Sequence, residues 1–372
     1  MIDTAAFYNY LVSQKLDSFY GVPDSLLKEL CAYITSKSSS DKHIITANEG
    51  NAIAIAAGKY LATGNPAVVY MQNSGLGNTV NPLLSLADED VYKIPMLLLI
   101  GWRGEPGVHD EPQHVKQGKI TLELLQTMGI KTILLSDDYQ KDIDEAVKYM
   151  KNESRVVALV VRKNMFSKFS LAAAKDESDI TREDALKELI HQISEDSIIV
   201  STTGKTSREV FEIREQNKDS HERDFLTVGS MGHTSSIALG ISLSIAKKVY
   251  CIDGDGSLIM HLGGLGIAAQ NAKSNFKYIV INNGAHESVG GQPTIAFNIK
   301  ISEILRNLGF KDVFEVSNIE GIKKAFTLFD KSDLAALIIN TKQGSRDNLG
   351  RPTSTPEENK KALMKFIMEN KE

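Results

Sequence analysis

The chain has 372 residues, of which 42% are apolar and 24% are charged, and its formal charge is -5. Its 42 basic residues are balanced by 47 acidic ones, so it lacks the basic excess that nucleic-acid binding requires. Its two cysteines, Cys31 and Cys251, exclude a disulfide scaffold or a Cys-rich zinc site and favour a reducing compartment.

The N-terminus, MIDTAAFYNYLVSQKLDSFYG, has no basic start followed by an apolar run, so it is not typical of a signal peptide. No apolar run approaches the roughly 18 residues that a membrane helix needs. The longest runs, such as Met96–Ile100 and Val156–Val161, have the length of a buried strand. We therefore expect a soluble, cytoplasmic protein without a membrane partner.

Short β-branched runs alternate with longer segments of helical spacing along the whole chain. This alternation predicts βαβ units, and apolar runs without polar alternation predict parallel sheets covered on both faces. The first half is predicted to contain strands at Ser18–Tyr20, His43–Ala47, Ala67–Met71, Met96–Ile100, Thr132–Leu135 and Val156–Val161. The second half is predicted to contain strands at Ile198–Ser201, Phe225–Val228, Val249–Ile252, Tyr278–Asn282, Asp312–Glu315 and Ala336–Ile339. The fold class is therefore α/β, with two doubly wound parallel-sheet domains.

A domain boundary is visible at Asn164–Asp179, where the alternation breaks and small and charged residues mix. Thr181 follows, with Asp184 three residues later, in the pattern of a capping box at the start of a new helix. The predicted organisation is a first domain at residues 1–166, a linker at 167–180 and a second domain at 181–372. The charged, amphipathic stretch Thr355–Glu372 is predicted to close the chain as a surface helix.

The most informative motif follows two predicted strands of the second domain. Strand Val249–Ile252 leads into Asp253-Gly254-Asp255-Gly256-Ser257, and strand Tyr278–Asn282 leads into Asn283-Gly284-Ala285, with 25 residues between Gly256 and Asn282. Ligands of open α/β sheets bind at this edge, where glycines and helix N-termini accommodate phosphate. Asp255, an asparagine side chain and a backbone carbonyl are hard oxygen ligands that suit Mg²⁺.

Other interpretations of this motif fit less well. A surface turn is enough to explain a lone GDG. A dinucleotide fingerprint needs a third glycine where this chain has Ile259, and an EF-hand loop needs different residues at Ser257 and Gly264. The absence of G-x-G-x-x-G also argues against a nicotinamide-dependent oxidoreductase.

The pairing of GDGS and NN resembles the diphosphate-binding motif of thiamine-diphosphate-dependent enzymes. The resemblance implies that thiamine diphosphate is the cofactor and that Asp255, Asn283 and the backbone of Ala285 bind Mg²⁺. Gly254, Gly256 and Ser257 are then expected to contact the cofactor. It also implies a first domain that binds the aminopyrimidine ring and a second that binds the diphosphate.

A first domain of this kind should offer a glutamate to N1' of the aminopyrimidine. Glu49 in Thr46-Ala47-Asn48-Glu49-Gly50-Asn51-Ala52 matches it, after strand His43–Ala47 and before a helix expected at Ala52–Ala62. Taken by itself, Glu49 is more simply explained as an acid favoured by a helix N-terminus. With the second motif present, we take Glu49 as the catalytic residue.

Two glycine-rich segments add further candidates for cofactor binding. Gln72-Asn73-Ser74-Gly75-Leu76-Gly77-Asn78 resembles the family's loop that faces the cofactor ring, so Asn73 is a candidate. In Gly229-Ser230-Met231-Gly232-His233, Met231 matches the bulky apolar residue that holds the cofactor bent, with Gly229 and Ser230 beside it. Simple packing is the alternative for Met231.

The linker leaves no room for the middle domain of the larger family members. This absence and the segments after the first, third and fourth strands resemble phosphonopyruvate decarboxylases, and less closely sulfopyruvate decarboxylase. The resemblance implies a carboxy-lyase that converts phosphonopyruvate to phosphonoacetaldehyde and carbon dioxide, in aminoethylphosphonate biosynthesis. Sulfopyruvate remains an alternative substrate, because both anionic head groups need the same cations. An acetolactate-type carboligase is a further alternative, which the missing middle domain disfavours.

A substrate with two anionic groups needs fixed cations and N–H donors in its pocket. Candidates lie after the predicted strands and are equally compatible with a solvated loop: Asp24, Ser25, Ser74, Arg103, His109, His114, Lys116 and His286, with Lys205 as a further possibility. In this family the pyrimidine domain of one subunit faces the diphosphate domain of another. The resemblance therefore implies self-association into at least a homodimer, with active sites at the subunit interface.

Overall fold

The computed structural model describes residues 1–171 and 178–369, which form two compact units. The first unit comprises Met1–Ala173 with His286–Gln292, and the second comprises Ala174–Ala285 with Pro293–Glu372. Each unit is built on a six-stranded sheet in which all recorded strand pairs are parallel. This confirms the α/β class with two parallel-sheet domains.

The sheet of the first unit has the strand order β2-β1-β3-β4-β6-β5. Its strands are β1 (Phe19–Gly21), β2 (His43–Ile45), β3 (Val68–Gln72), β4 (Leu97–Gly101), β5 (Lys131–Leu134) and β6 (Val157–Val161). Its helices are α1 (Thr4–Ser13), α2 (Lys28–Lys37), α3 (Glu49–Thr63), α4 (Leu76–Pro82), α5 (Pro112–Thr127) and α6 (Tyr139–Glu153). A 3-10 turn at Asn73–Gly75 precedes α4, and a π-helical turn at Leu83–Ala87 follows it.

The sheet of the second unit has the strand order β13-β14-β10-β9-β7-β8. Its strands are β7 (Ile198–Ser201), β8 (Asp224–Leu226), β9 (Val249–Gly254), β10 (Phe276–Asn282), β13 (Asp312–Val316) and β14 (Ala335–Asn340). Its helices are α7 (Arg182–Gln192), α8 (Lys205–Asn217), α9 (Thr234–Ser244), α10 (Asp255–Met260), α11 (Leu262–Asn271), α12 (Ile301–Leu308), α13 (Ile319–Lys331) and α14 (Pro356–Glu369). A separate two-stranded sheet pairs β11 (Ala285–His286) with β12 (Gln292–Pro293), which the sequence did not predict.

Apolar residues on both faces of each sheet explain why the strands are uniformly hydrophobic. In β3, Val69 and Met71 pack into one core layer, while Val68 and Tyr70 pack into the layer on the opposite face. In β9 of the second unit, Tyr250 and Ile252 likewise face one layer and Val249 and Cys251 the other. A strand that is buried on both faces has no polar alternation, which is the pattern that predicted a parallel sheet.

The described ends of the predicted linker are bound to the units. Ser167 donates its N–H to Ile2 O at 2.9 Å, and Ser178 donates its hydroxyl to Asn340 O at 2.9 Å. Residues 172–177 of this predicted linker lie outside the described residues, as do residues 370–372 of the predicted C-terminal helix. Within the described residues, no helix is long and apolar enough to cross a bilayer.

Candidate active site

Glu49 is the first residue of α3, and its side chain is only 5% exposed. Asn48 caps the helix, since its side-chain oxygen accepts the N–H of Asn51 at 3.0 Å. The helix therefore begins three residues before the predicted start at Ala52. A carboxylate at this position is stabilised by the positive end of the helix dipole.

The carboxylate of Glu49 contacts the segment that follows β3. Asn78 donates its side-chain N–H to Glu49 Oε2 at 2.7 Å. Gly75 lies so close that a Cβ on it would be 2.4 Å from Glu49 Oε1, so only glycine fits there. The segment predicted as a glycine-rich loop is in fact a 3-10 turn leading into α4, because its residues pack over Glu49 and α3.

Asn73 lies in this 3-10 turn and is buried. Its amide N–H groups donate to Arg103 O at 2.8 Å and Thr121 Oγ1 at 2.9 Å, and its oxygen accepts the N–H of Arg103 at 3.1 Å. Both donors of this side chain are therefore engaged within the first unit. The structure gives Asn73 the role of joining the ends of β3 and β4 to α5.

Arg103 follows β4, and its guanidinium forms a two-point ion pair with Asp110. Its Nε donates to Asp110 Oδ2 at 2.7 Å, a second nitrogen donates to Asp110 Oδ1, and a third donates to Ser25 Oγ at 2.7 Å. Backbone N–H groups of Gly104 and Glu111 also donate to Asp110, at 2.9 and 2.8 Å. Burial opposes the charge of Asp110, but the bonds from Arg103 and Gly104 hold its pKa below the usual value.

Asp24 lies beside this ion pair and is fully buried. It accepts the side-chain N–H of Gln72 at 2.7 Å and the N–H of Leu26 at 2.9 Å, and burial raises its pKa. Ser74 donates its hydroxyl to Gln72 Oε1 at 2.7 Å. The residues that follow β1, β3 and β4 thus form one hydrogen-bonded network at the carboxyl edge of neighbouring strands.

The basic candidates that follow β4 differ in burial and in charge. Besides the pairing of Arg103, burial lowers the pKa of His114 to about 4, so this side chain is neutral at pH 7. His114 and Lys116 lie on α5, which begins at Pro112 inside the segment predicted as a loop. His109 and Lys116 are exposed.

Two further candidates lie apart from this network in the sequence. His286 is in β11, and burial lowers its pKa to about 4. Lys205 is the first residue of α8, after Gly204 at a φ of 90°.

In the second unit, Asp255 and Asn283 follow the adjacent strands β9 and β10. Asp255 is 3% exposed and accepts the hydroxyl of Thr294 at 2.5 Å. Burial raises its pKa to about 6, against hydrogen bonds from Thr294 and from the backbone that favour the charged form. Because burial penalises this negative charge, a cation bound here would offset the penalty.

The turn after β10 is ordered by its asparagines. Asn283 Oδ1 accepts the N–H of Ala285 at 3.1 Å, and Asn282 Oδ1 accepts the N–H of Gly284 at 3.2 Å. Carboxylate, amide and carbonyl oxygens from Asp255, Asn283 and Ala285 form the donor set that Mg²⁺ prefers. The residues present therefore fit a magnesium ion.

The segment that contains Met231 is hydrogen-bonded to the diphosphate motif. Gly232 donates its N–H to Ser257 Oγ at 3.0 Å, which connects this turn to the segment with Gly254, Gly256 and Ser257. Gly229 and Ser230 precede Met231, and Ser230 has a φ of 54°, a left-handed conformation that costs a non-glycine residue about 1–3 kcal/mol. Met231 itself is half-buried. The two segments predicted to bind cofactor are thus brought together in the second unit.

Several residues of these networks were not predicted: Asn78, Asp110 and Gln72 in the first unit, and Asp253 and Thr294 in the second. Asp253 is fully buried and accepts the hydroxyl of Tyr278 at 3.0 Å. Asn78 and Gln72 stand inside the glycine-rich segment, and Asp253 directly precedes the GDGS motif, so their positions gave a signal. Thr294 had none, because it lies outside both motifs.

Comparison with known families gives the class of both units. Residues 4–127 match the N-terminal TPP binding domain of thiamine pyrophosphate enzymes, and residues 202–345 match the C-terminal TPP binding domain. Thiamine pyrophosphate is the same compound as thiamine diphosphate. Both units are therefore thiamine diphosphate-binding domains.

Similar proteins narrow the family. A phosphonopyruvate decarboxylase of Streptomyces viridochromogenes is 30% identical over 99% of this chain and 95% of its own length. A phosphonopyruvate decarboxylase of Streptomyces hygroscopicus is 30% identical over 94% of this chain and 90% of its own length. A sulfopyruvate decarboxylase of Methanosarcina acetivorans is 30% identical over 84% of this chain and 85% of its own length. The chain belongs to this family of two-domain thiamine pyrophosphate enzymes.

Proposed function

We propose that the chain is a thiamine diphosphate- and Mg²⁺-dependent decarboxylase that converts phosphonopyruvate to phosphonoacetaldehyde and carbon dioxide. The observation that carries this proposal is the similarity of 99% of this chain to a phosphonopyruvate decarboxylase. This chain also has both of the proposed acids, Glu49 and Asp255, in buried positions. The reaction would be a step of aminoethylphosphonate biosynthesis.

Thiamine diphosphate, when bound, supplies a carbon nucleophile for the 2-oxo group and accepts the electrons released with carbon dioxide. Glu49 would hold a proton at N1' of the aminopyrimidine and so activate the cofactor. Burial under Gly75 keeps water from its carboxylate, and Asn78 fixes the orientation of Oε2. Met231 would support the cofactor in its bent form.

The second unit would hold the diphosphate through Mg²⁺. Asp255, Asn283 and the carbonyl of Ala285 would be the metal ligands. The diphosphate site would be lined by Gly229, Ser230, Gly254, Gly256 and Ser257. Asn73 would position the glycine-rich segment at residues 72–78 that is expected to face the cofactor ring, because its amide is hydrogen-bonded to Arg103 and Thr121.

Arg103 is the side chain that we assign to the phosphonate. A guanidinium has five N–H donors, and three of them are used by Asp110 and Ser25. The remaining donors would bind the head group, while Asp110 fixes the plane of the guanidinium. Asp24, Ser25 and Ser74 would support this arrangement, and His109, His114, Lys116 and His286 remain candidates for further contacts.

We propose self-association into at least a dimer, with active sites at the subunit interface. The support is that the relatives of this chain include separate beta and alpha subunits of sulfopyruvate decarboxylase. We also propose a cytoplasmic location, because the free, buried Cys31 and Cys251 suit a reducing compartment.

Sulfopyruvate is the second candidate substrate, supported by the Methanosarcina relative at the same identity. Its head group is also a tetrahedral anion that accepts hydrogen bonds from arginine. The two substrates differ in head-group charge, but Arg103 could donate hydrogen bonds to either head group, so its presence does not distinguish between them.

An assay of the purified full-length chain tests the proposal. Phosphonopyruvate, sulfopyruvate and pyruvate are each supplied with thiamine diphosphate and Mg²⁺, and carbon dioxide and aldehyde are measured. A strong preference for phosphonopyruvate supports the proposal. A preference for sulfopyruvate replaces the substrate but keeps the mechanism, and turnover to a larger 2-hydroxy ketone instead of an aldehyde would identify a carboligase.

A further inference from the structure

Thr294 connects the two segments that carry the proposed metal ligands. It follows β12, is 8% exposed, and donates its hydroxyl to Asp255 Oδ2 at 2.5 Å. Its backbone N–H donates to Gly284 O at 2.9 Å, in the turn between Asn283 and Ala285. All of these atoms lie in the second unit.

The direction of the hydroxyl bond follows from a third contact. Ala296 donates its N–H to Thr294 Oγ1 at 3.3 Å, so this oxygen already accepts one hydrogen bond. A hydroxyl has a single proton, and Asp255 is the acceptor within reach of it. The proton of Thr294 therefore points at the carboxylate, and the carboxylate is held by Oδ2.

We infer that Thr294 is a positioning residue for the divalent cation of the proposed cofactor site. Its hydroxyl fixes the rotation of the Asp255 carboxylate, and its backbone fixes the turn that presents Asn283 and the carbonyl of Ala285. The inference rests on the proposed function in one respect only, which is the assignment of these three residues as metal ligands. Partners that orient metal ligands typically change metal affinity about 10–100-fold when removed.

The test compares variants that differ at the hydroxyl. Thr294→Val removes it with little change in shape, and Thr294→Ser keeps it. Thr341→Val is the matched control, since Thr341 is buried in the same unit and its hydroxyl has no hydrogen-bond partner among the described residues. If Thr294→Val fails to fold, Thr294→Ala and Thr294→Ser form the comparison.

Mn²⁺ serves as the probe, because it takes the same oxygen ligands as Mg²⁺. Each full-length variant is titrated with Mn²⁺ in the presence of thiamine diphosphate and without substrate, and free Mn²⁺ is measured by electron paramagnetic resonance. We expect Thr294→Val to bind Mn²⁺ about 10–100-fold more weakly, while Thr294→Ser and Thr341→Val bind it as the parent chain does. Saturating Mn²⁺ should restore most of the turnover of Thr294→Val.

A folded Thr294→Val variant that binds Mn²⁺ as tightly as the parent chain would overturn the inference. It would also be overturned if Thr294→Ser lost as much Mn²⁺ affinity as Thr294→Val, or as Thr294→Ala where that variant is used. Failure of the parent chain itself to bind Mn²⁺ would overturn the metal assignment and the inference with it. The wrong choice of 2-oxo acid in the proposed function would leave the titration unaffected, because no substrate is present.

Discussion

Each of three carboxylates in these networks is held by a neighbouring side chain. Asn78 holds Glu49 at 2.7 Å, Thr294 holds Asp255 at 2.5 Å, and Arg103 pairs with Asp110. A buried charge without such a partner is costly, and its pKa shifts until it is neutral. The chemistry proposed for these acids therefore depends on the neighbouring side chains as well as on the acids themselves.

Replacing Glu49 by Gln tests the proposed proton transfer. The amide keeps the size of the side chain but does not exchange a proton with N1', so we expect kcat to fall by at least about 10²-fold. The measurement is steady-state decarboxylation, with thiamine diphosphate binding followed separately by calorimetry. Glu29→Gln, at the first turn of α2, is the control and should keep its rate. Turnover close to that of the parent chain in Glu49→Gln would refute the assignment.

Arg103→Gln tests the proposed head-group contact. Loss of a charge-assisted hydrogen bond costs about 1.5–3 kcal/mol, so KM for phosphonopyruvate should rise roughly 10–100-fold while KM for pyruvate changes little. Kinetics with both substrates give this comparison. Arg155→Gln removes another ion-paired arginine of the first unit, the partner of Glu89, and should change neither constant. An equal rise in KM for both substrates would show that Arg103 does not recognise the head group.

Glu49, Asp255 and Asn283 could be predicted from the sequence, because each follows a predicted strand within a recognisable motif. Among their partners, Asn78 stands inside the glycine-rich segment, but its contact with Glu49 is created by the fold, and Thr294 lies outside every motif. The pairing of Arg103 with Asp110 shows the same limit, because a sequence shows charges but not which of them neutralise each other. The binding of substrate by Arg103 and its basic neighbours therefore stays a prediction.

Among the elements, the strands were the most predictable, and all twelve predicted strands are present, eleven of them with shifts at one or both ends. Buried apolar runs identify a parallel strand without tertiary information. β10 begins at Phe276, before the predicted Tyr278, because Lys277 is buried and donates its ammonium to Ser332 O. The pair β11 and β12 was missed because strands of two residues leave no pattern.

The capping box at the start of α7 was predicted from sequence and is confirmed. Thr181 Oγ1 accepts the N–H of Asp184 at 3.0 Å, and the Asp184 carboxylate accepts the N–H of Thr181 at 3.1 Å. We expect Thr181→Ala to lower the free energy of unfolding of the second unit by about 1 kcal/mol, and Thr181→Ser to lower it much less. Urea unfolding gives both values.

The control for this helix is Thr327→Ala, which removes a hydroxyl inside α13 that is bonded to Lys323 O. It should change the free energy of unfolding by less than about 0.5 kcal/mol, as for most exposed helix positions. Equal effects of Thr181→Ala and Thr327→Ala would mean that the cap contributes nothing specific.

At the scale of the molecule, buried histidines predict sensitivity of the first unit to acid. Burial lowers the pKa of His43, His114 and His286 to about 4, below the ordinary value of 6.5. Their contribution to stability is complete above pH 6.5 and is lost as the pH falls toward 4, because protonation then favours the unfolded chain. The free energy of unfolding should decrease over this range.

His43→Gln should make this decrease smaller, since it removes one of the groups that must remain neutral. The exposed His191 provides the control, and His191→Gln should leave the pH dependence unchanged. Urea unfolding at several pH values between 7 and 4 measures the slope. An identical slope in His43→Gln and the parent chain would show that His43 titrates normally.

The proposed assembly makes a prediction that no single variant tests. If Glu49 of one chain and Asp255 of another form each active site, a mixed dimer of Glu49→Gln and Asp255→Asn contains one site with neither substitution. Random mixing of the two inactive variants in a symmetric dimer should then restore about a quarter of the parent activity. The mixture is prepared by reversible dissociation and assayed for carbon dioxide release, with each variant refolded alone as the control. A mixture as inactive as its components, in which mass spectrometry detects the mixed dimer, would mean that each chain supplies both acids to its own site.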